Sequence, residues 1–262
     1  MTVHGSTWSR FPDVMKRPST DPVFSLPPST LSKLKPLRDL CYLRRSIPDM
    51  AQYRAAHLLL REWAKDRGLY GARLGLLGSV HLSVMLVPIC KAFAHNSGSV
   101  TVGDVLVSFF HHYARFDWTQ HAVFDPFFHG TLKYHRSFRE PLCLLGWHGP
   151  NLNTTANASV PTVKALATEL RRAESLLSQE SMTWDQFFGP GPGDIDSGRS
   201  LSHGAVDFLR SHKNFVRIDL HYWGSSSTAG PRFVGWLESR CVMLLVGELL
   251  LSHLVFVSLT LM

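Results

Sequence analysis

Cationic side chains recur at helical spacing within one segment in the first third of the chain. On a helix with 3.6 residues per turn, Arg54, His57, Arg61 and Lys65 fall at i, i+3, i+7 and i+11 and share one face. Cations aligned along one edge of a helix bind phosphate groups through charge-assisted hydrogen bonds. The residues therefore predict a phosphate-binding face, with an ordinary solvated charged face as the alternative.

Metal-ligating and catalytic patterns are weaker. Asp194-Ile195-Asp196 matches the Asp-x-Asp motif with which a carboxylate pair holds two metal ions. It lies in a Gly- and Pro-rich stretch, with no strand pattern and no nearby Gly-Ser turn before it, so we interpret it as loop carboxylates. His111 and His112 are adjacent in a helical pattern and point apart, which is wrong for a shared metal. We therefore predict no metal ligands and no catalytic residues.

The elements that position the cationic face are mainly helical. An apolar stripe lies on the neighbouring face of the same helix and predicts its core side. It consists of Tyr53, Ala56, Leu60, Trp63 and Ala64. A helix from about Ser79 follows, and Pro88 should bend or end it. Thr101 and Asp104 fit a capping box, and Ser159 with Pro161 marks another helix start.

The chain divides into four parts. Residues 1–36 are rich in Pro, Ser and Thr and read as coil and linker, and 37–188 form a helical domain. Residues 189–202 form a second linker. Residues 203–262 contain an alternating strand pattern over 215–223 and a helix from about Arg232, which indicates an incomplete ferredoxin-like domain. The fold class is therefore α+β and mainly α.

Composition fits an intracellular globular protein. The 262 residues are 45% hydrophobic and carry a formal net charge of +7, which favours polyanionic partners. The four cysteines, Cys41, Cys90, Cys143 and Cys241, are far apart in sequence and form no CxxC pair. We expect buried free thiols and a reducing compartment.

The C-terminal segment 242–262 is almost entirely apolar. Its length is near the roughly 20 residues that a membrane span requires. Three interpretations stay open: a helix and strand packed on the last domain, membrane insertion, or a non-native ending. We favour the first over insertion in a membrane.

Several blocks, in order, resemble the eukaryotic poly(A) polymerases over roughly 38–245. Trp63-Ala64-Lys65 followed by Leu69-Tyr70 resembles a block of the family's middle domain, and Gly75–Val80 resembles its glycine turn. Phe124-Asp125-Pro126 and Ala158-Ser159-Val160 follow in the family's order, and Gly235–Arg240 is similar to a helix start in its C-terminal RNA-binding domain.

The resemblance implies a nucleotide-binding site. Its members in this chain are Arg61, Lys65, Tyr70, Gly78, Ser79 and Val80. Arg61 replaces a lysine of the family, and Ala72 stands where the family usually has an asparagine that contacts the nucleotide. From the residues alone, the preferred interpretation is that Tyr70 and Val80 are core residues and that the cations form a solvated face; the resemblance favours nucleotide binding instead.

The resemblance implies addition of AMP from ATP to RNA 3′ ends, with Mg²⁺ or Mn²⁺, in the nucleus or the cytoplasm. The family's catalytic domain would precede residue 37, so residues 1–36 represent at most its tail. Asp13 is a thin match to a metal-binding aspartate there, and a linker aspartate is the preferred interpretation. We expect the chain to close on ATP and to contact RNA, while a catalytic domain or partner chain supplies the carboxylates. The alternative is a non-catalytic RNA-binding or scaffold protein on the same fold.

Overall fold

The computed structural model describes residues 26–93, 100–131, 134–188, 210, 216–220, 228–246 and 257–261. Helices make up most of these residues, as predicted. In chain order the elements are α1 (Pro28–Ser46), α2 (Met50–Asp66), α3 (Ser79–Phe93), α4 (Val102–Ala114), α5 (Pro126–His129), α6 (Val160–Leu177), α7 (Trp184–Phe188), β1 (Val216–Leu220), α8 (Ala229–Val246) and β2 (Val257–Leu261). A short 3-10 turn, Ala72–Leu74, lies between α2 and α3.

The core lies among α2, α3, α4 and α6, which pack against one another. All five residues of the predicted apolar face of α2 are buried. Trp63 from that face meets Phe110 of α4 edge to face, with ring centroids 4.9 Å apart. Burying each such side chain contributes about 1.5–3 kcal/mol, so this stripe fixes which face of α2 remains for solvent.

Local hydrogen bonds define the helix starts. The Thr101 hydroxyl accepts from the Asp104 N–H at 3.2 Å, and the Asp104 carboxylate accepts from the Thr101 N–H at 2.8 Å. This reciprocal pair is the predicted capping box of α4. Ser159 caps α6, as predicted, and the structure adds a reciprocal bond with Thr162 that makes this start a second capping box. Asp49 begins α2 by accepting the N–H groups of its first turn.

The assignment of residues 1–36 to coil is wrong from Pro28 onward, because α1 begins there and not near residue 37. Pro28 occupies the first helical turn, where a missing N–H costs nothing and the fixed φ suits a helix. Leu31, Leu34 and Leu37 are partly buried at a spacing of three residues. That apolar stripe outweighs Pro36, which the helix accommodates in its interior.

Of the two effects expected of Pro88, bending or ending the helix, the second does not occur, since α3 continues to Phe93. The residues around it are almost all buried, and Val84 to Val87 are at most 1% exposed. Burial of this apolar turn outweighs the one backbone hydrogen bond that a proline removes.

A buried polar cluster joins α1, α3 and the segment that precedes α5. The Asp125 carboxylate accepts from Lys91 Nζ at 2.5 Å, from the Tyr42 hydroxyl at 3.0 Å and from Trp147 Nε1 at 3.1 Å. Lys91 and Asp125 side chains are 6% and 1% exposed. These bonds fix Asp125 and Trp147, which lie in a stretch with few regular elements, against α1 and α3.

The C-terminal elements form a β-α-β unit. β1 and β2 pair in parallel, with Val216 opposite Val257 and Leu220 opposite Leu261, and α8 connects them. The strand predicted over 215–223 is confirmed for 216–220, and the predicted helix begins slightly earlier than expected. The linker 189–202 and much of 242–262 lie outside the described residues. Among the helices that are described, none combines the length and apolarity needed to cross a bilayer.

Candidate nucleotide-binding site

The predicted site residues lie on α2, at the start of α3 and on the turn between them. Leu77 donates its N–H to the Leu69 carbonyl at 2.8 Å, and Gly71 donates to the Leu77 carbonyl at 2.8 Å. These two bonds fold the connection back on itself and set Tyr70 beside Leu77 in an isolated bridge. The start of α3 therefore lies next to Tyr70, although nine positions separate Tyr70 from Ser79.

Gly75 allows this turn to approach the segment before α6. Its φ is +75°, a left-handed conformation that glycine adopts without strain. A Cβ at this position would lie 2.3 Å from the carbonyl oxygen of Asn157. The turn and the 154–158 segment thus make a backbone contact that only glycine permits.

The end of α2 is fixed by a buried ion pair. The Arg67 guanidinium donates to both carboxylate oxygens of Glu169 on α6, from Nε at 2.6 Å and from Nη2 at 3.0 Å. The side chains are 1% and 11% exposed. Since Gly68 begins the chain reversal immediately afterwards, this pair positions the backbone that carries Tyr70.

Ser79 joins Tyr70 to the cationic face of α2. Its hydroxyl lies 2.6 Å from the Tyr70 hydroxyl, and its carbonyl oxygen lies 3.0 Å from Nε2 of His57. The same carbonyl accepts from the Ser83 hydroxyl at 2.9 Å, and Ser83 in turn accepts from Tyr53. The first turn of α3 is therefore held between α2 on one side and Tyr70 on the other.

Arg61 and Lys65 converge on a single carboxylate. Glu62 Oε1 accepts from Arg61 Nη2 at 3.0 Å and from Lys65 Nζ at 3.1 Å. All three side chains are between 35% and 48% exposed. Desolvation raises the pKa of Glu62, but the hydrogen bonds from Lys65 and Arg61 outweigh it and hold that pKa below its ordinary value. The two cations are thus gathered on one solvent-facing patch, with an anionic group between them.

His81 supports the glycine turn from within. Its Nδ1 accepts the Gly78 N–H at 3.0 Å, and its Nε2 lies 2.9 Å from the Thr154 carbonyl oxygen. Nδ1 is therefore the acceptor and Nε2 carries the hydrogen. Burial lowers the pKa of His81 below its ordinary value, so the ring is held neutral.

The structure brings the predicted residues together in two groups. Arg61 and Lys65 form one group, and Tyr70 and Ser79 form the other. His57 contacts Ser79 and lies one helical turn before Arg61, so it connects them. Val80 is 50% exposed at the same helix start, which places it on the surface and not in the core.

Sequence reasoning missed Glu62 and His81. Glu62 lies three residues before Lys65 and next to Arg61, a spacing at which opposite charges on a helix meet. His81 follows Gly78 by three residues, but its other partner, Thr154, is 73 positions away. The contacts of Glu62 could have been predicted from local spacing, but the contact between His81 and Thr154 could not.

A cavity of about 210 Å³ lies beside the glycine turn. Its walls are the turn and the segment that precedes α6, with Ala72, Arg73, Gly75, Leu76, His81 and residues 154–158 as lining. None of the cationic residues predicted to bind phosphate lines this cavity. Arg61, Lys65 and Ser79 lie instead on α2 and at the start of α3, outside this cavity.

Divalent metal ions do not fit the described residues. Among them, no group of three or more His, Cys, Asp or Glu side chains is placed to hold a metal ion. Glu62, the carboxylate nearest the cations, has its oxygens engaged by Arg61 and Lys65. Asp13, Asp194 and Asp196 lie outside the residues that the structure describes.

Comparison with known proteins gives a consistent result. Residues 52–190 match the family model for the poly(A) polymerase central domain. Nuclear poly(A) polymerase 1 of Arabidopsis thaliana is 22% identical over 228 residues, covering 80% of this chain and 28% of the plant protein. Poly(A) polymerase pla1 of Schizosaccharomyces pombe is 22% identical over 225 residues, covering 79% of this chain and 36% of the yeast protein.

The Dictyostelium discoideum poly(A) polymerase is 20% identical over 205 residues, which cover 74% of this chain and 22% of that protein. The chain thus spans between about a fifth and a third of the length of these relatives. The matched segment contains α2, the glycine turn, α3 and the helical core that supports them. The chain belongs to the poly(A) polymerase central-domain family.

Proposed function

We propose that this chain supplies the nucleotide-closing face of a poly(A) polymerase-like nucleotidyltransferase that adds AMP from ATP to RNA 3′ ends. The observation that carries the proposal is the junction at Ser79. There the Tyr70 hydroxyl and the cationic face of α2 meet at the start of one helix. Membership of the central-domain family supports the same assignment.

The triphosphate binds on the cationic patch. Arg61 offers a planar fork of donors and Lys65 a compact point charge, so together they neutralise neighbouring phosphate oxygens. A triphosphate displaces the Glu62 carboxylate, which is half exposed and held only by these surface contacts. The Tyr70 and Ser79 hydroxyls and the turn at Gly78 face the sugar and phosphates, and Val80 packs on the base.

The transfer chemistry needs carboxylates from elsewhere. Nucleotidyl transfer uses divalent ions, Mg²⁺ or Mn²⁺, held by acidic side chains. We assign those ligands to a catalytic domain or a partner chain. The described central domain then acts by binding and orienting ATP, and by itself it transfers no AMP.

RNA is the second partner. The net charge of +7 favours a polyanion, and the β1-α8-β2 unit is the arrangement that part of a ferredoxin-like RNA-binding domain would have. The Arabidopsis thaliana relative described above is named a nuclear poly(A) polymerase, and we propose the nucleus as the site of action of this chain.

Equilibrium binding of a fluorescent ATP analogue tests this function. Arg61→Ala and Lys65→Ala should each weaken binding by about tenfold, because each removes a charge-assisted hydrogen bond. Lys164→Ala, at an exposed position of α6, is the matched control and should bind as the parent does. Unchanged ATP affinity in a variant that carries both Arg61→Ala and Lys65→Ala, together with retained RNA binding, would favour the non-catalytic RNA-binding scaffold instead.

A further inference from the structure

The segment 134–140, which we name the Arg136 loop, is held by side chains that bond to its own backbone and to nearby backbone outside it. The Arg136 guanidinium makes five hydrogen bonds to carbonyl oxygens. Its acceptors are Trp118 at 2.8 Å, His121 at 2.9 Å, Pro141 at 2.9 Å, and Glu140 at 3.0 and 2.8 Å. Arg136 is therefore committed to the architecture of the loop.

The one acidic residue of the Arg136 loop is also directed inward. Glu140 accepts from the Tyr134 hydroxyl at 2.6 Å, from the Ser137 N–H at 2.8 Å and from Asn153 Nδ2 at 2.9 Å. Its backbone N–H closes the turn by donating to the Ser137 carbonyl at 3.0 Å. The negative charge is consequently used to hold the loop and is not presented at its tip.

The tip carries aromatic and cationic groups. Phe138 is 92% exposed, the highest value among the large apolar side chains described. The Arg139 guanidinium lies 5.4 Å from the centre of the Phe138 ring, and Arg139 and His135 are both exposed. Covering an apolar ring this exposed is favourable, and here the neighbouring guanidinium of Arg139 is positively charged.

We propose that the Arg136 loop is a contact for single-stranded RNA, in which a base stacks on Phe138 and Arg139 binds an adjacent phosphate. Every nucleobase has a flat π-face, and aromatic side chains beside cations are the usual platform for unpaired strands. A protein partner would need an acidic apolar pocket to match this tip, whereas RNA offers both features in each nucleotide. Since the partner is RNA, this assignment rests on the function proposed above.

Binding of a fluorescein-labelled 15-nucleotide oligo(A) RNA to the full chain provides the test. Phe138→Ala should weaken binding about five- to hundredfold, the range for loss of one base–aromatic stack. Phe138→Trp should retain binding, while Phe138→Leu, which stays apolar but cannot stack, should lose it. Val160→Ala, at another exposed apolar position, should bind as the parent does.

Salt dependence tests the phosphate contact separately. Arg139→Gln should reduce the slope of log K against log salt by about 0.7, the value for one phosphate contact on a single strand. Full binding by Phe138→Leu, or an unchanged affinity for Phe138→Ala, would overturn the proposal. If RNA binding persists in these variants while the Arg61 and Lys65 variants still lose ATP, only the Arg136 loop assignment fails. Unchanged ATP affinity in the Arg61→Ala and Lys65→Ala variants would contradict the proposed function instead.

Discussion

The hydroxyl oxygens of Tyr70 and Ser79 lie 2.6 Å apart, at the point where the glycine turn enters α3. This contact joins the two ends of a connection that is otherwise held by backbone hydrogen bonds. The Ser79 carbonyl also meets His57 on α2, so a single residue, Ser79, contacts both Tyr70 and the cationic face of α2.

Tyr70→Phe removes the hydroxyl and leaves the ring. We predict that affinity for an ATP analogue falls about two- to tenfold, the net value of one hydrogen bond. Isothermal calorimetry measures the change. Tyr134→Phe removes a hydroxyl that binds Glu140 in the Arg136 loop and should leave ATP affinity unchanged. Equal losses in the two variants would show that the effect is not specific to this site.

Glu62→Gln should strengthen ATP binding. In the proposed complex the carboxylate competes with phosphate for Arg61 and Lys65. An exposed ion pair contributes about 0.2–1 kcal/mol, so we predict a gain of about 1.4- to fivefold. Titration at low and high salt measures it, and the gain should shrink at high salt. Glu174→Gln, which breaks the exposed contact with Arg115, is the control. Weaker binding by Glu62→Gln would mean that the carboxylate orients the cations for the ligand.

The imidazole of His81 should titrate below its ordinary pKa of 6.5, because burial disfavours the charged ring. Protonation would also place a hydrogen on Nδ1, opposite the Gly78 N–H that this atom accepts. Proton NMR of the ring resonances over pH 4 to 8 gives the value directly. A pKa at or above 6.5 would contradict the neutral, doubly bonded histidine.

The lowered pKa of His81 also makes the free energy of unfolding depend on pH. The folded pKa lies below the unfolded one, so the unfolded state binds more protons as pH falls below 6.5 and the free energy of unfolding decreases there. Burial, with a smaller contribution from His111, also lowers the pKa of His112, which acts in the same direction. Denaturant unfolding at several pH values should show a shallower dependence for His81→Asn than for the parent. An undiminished dependence would place the effect on other groups.

Gly75→Ala should destabilise the fold by about 1–3 kcal/mol, through the positive φ and the collision with the Asn157 carbonyl. Gly235→Ala is the matched control, because that glycine lies within α8 and an added Cβ there would meet no atom within 4 Å. Alanine there should be neutral or stabilising by up to about 1 kcal/mol. Thermal unfolding distinguishes the two, and similar melting temperatures for both would contradict the close approach described here.

Local patterns were sufficient for much of the helical domain. The apolar face of α2, the capping box at Thr101 and the helix cap at Ser159 depend on residues within a few helical turns, and the structure confirms them. Prolines were harder to interpret. A helix begins at Pro28, within the stretch assigned to coil, and α3 does not end at Pro88, because the effect of a proline depends on its position within a helix and on the burial around it.

Contacts between distant segments could not be predicted. Arg67 and Glu169 are 102 positions apart, and His81 and Thr154 are 73 apart, yet both pairs shape the glycine turn. No periodicity encodes such pairings, since they follow from how α6 and its preceding segment pack on the core. The family resemblance supplied the candidate residues Tyr70 and Ser79, and the structure supplied the contact between them.

Photoaffinity labelling with 8-azido-ATP, followed by peptide mapping, tests the central claim most directly. If the face formed by α2, the glycine turn and α3 binds the nucleotide, adducts should fall within residues 70–80, and unlabelled ATP should suppress them. The Arg61→Ala, Lys65→Ala double variant should lose the same adducts while remaining folded. Labelling confined to the 154–158 segment, or labelling that unlabelled ATP does not suppress, would contradict the claim.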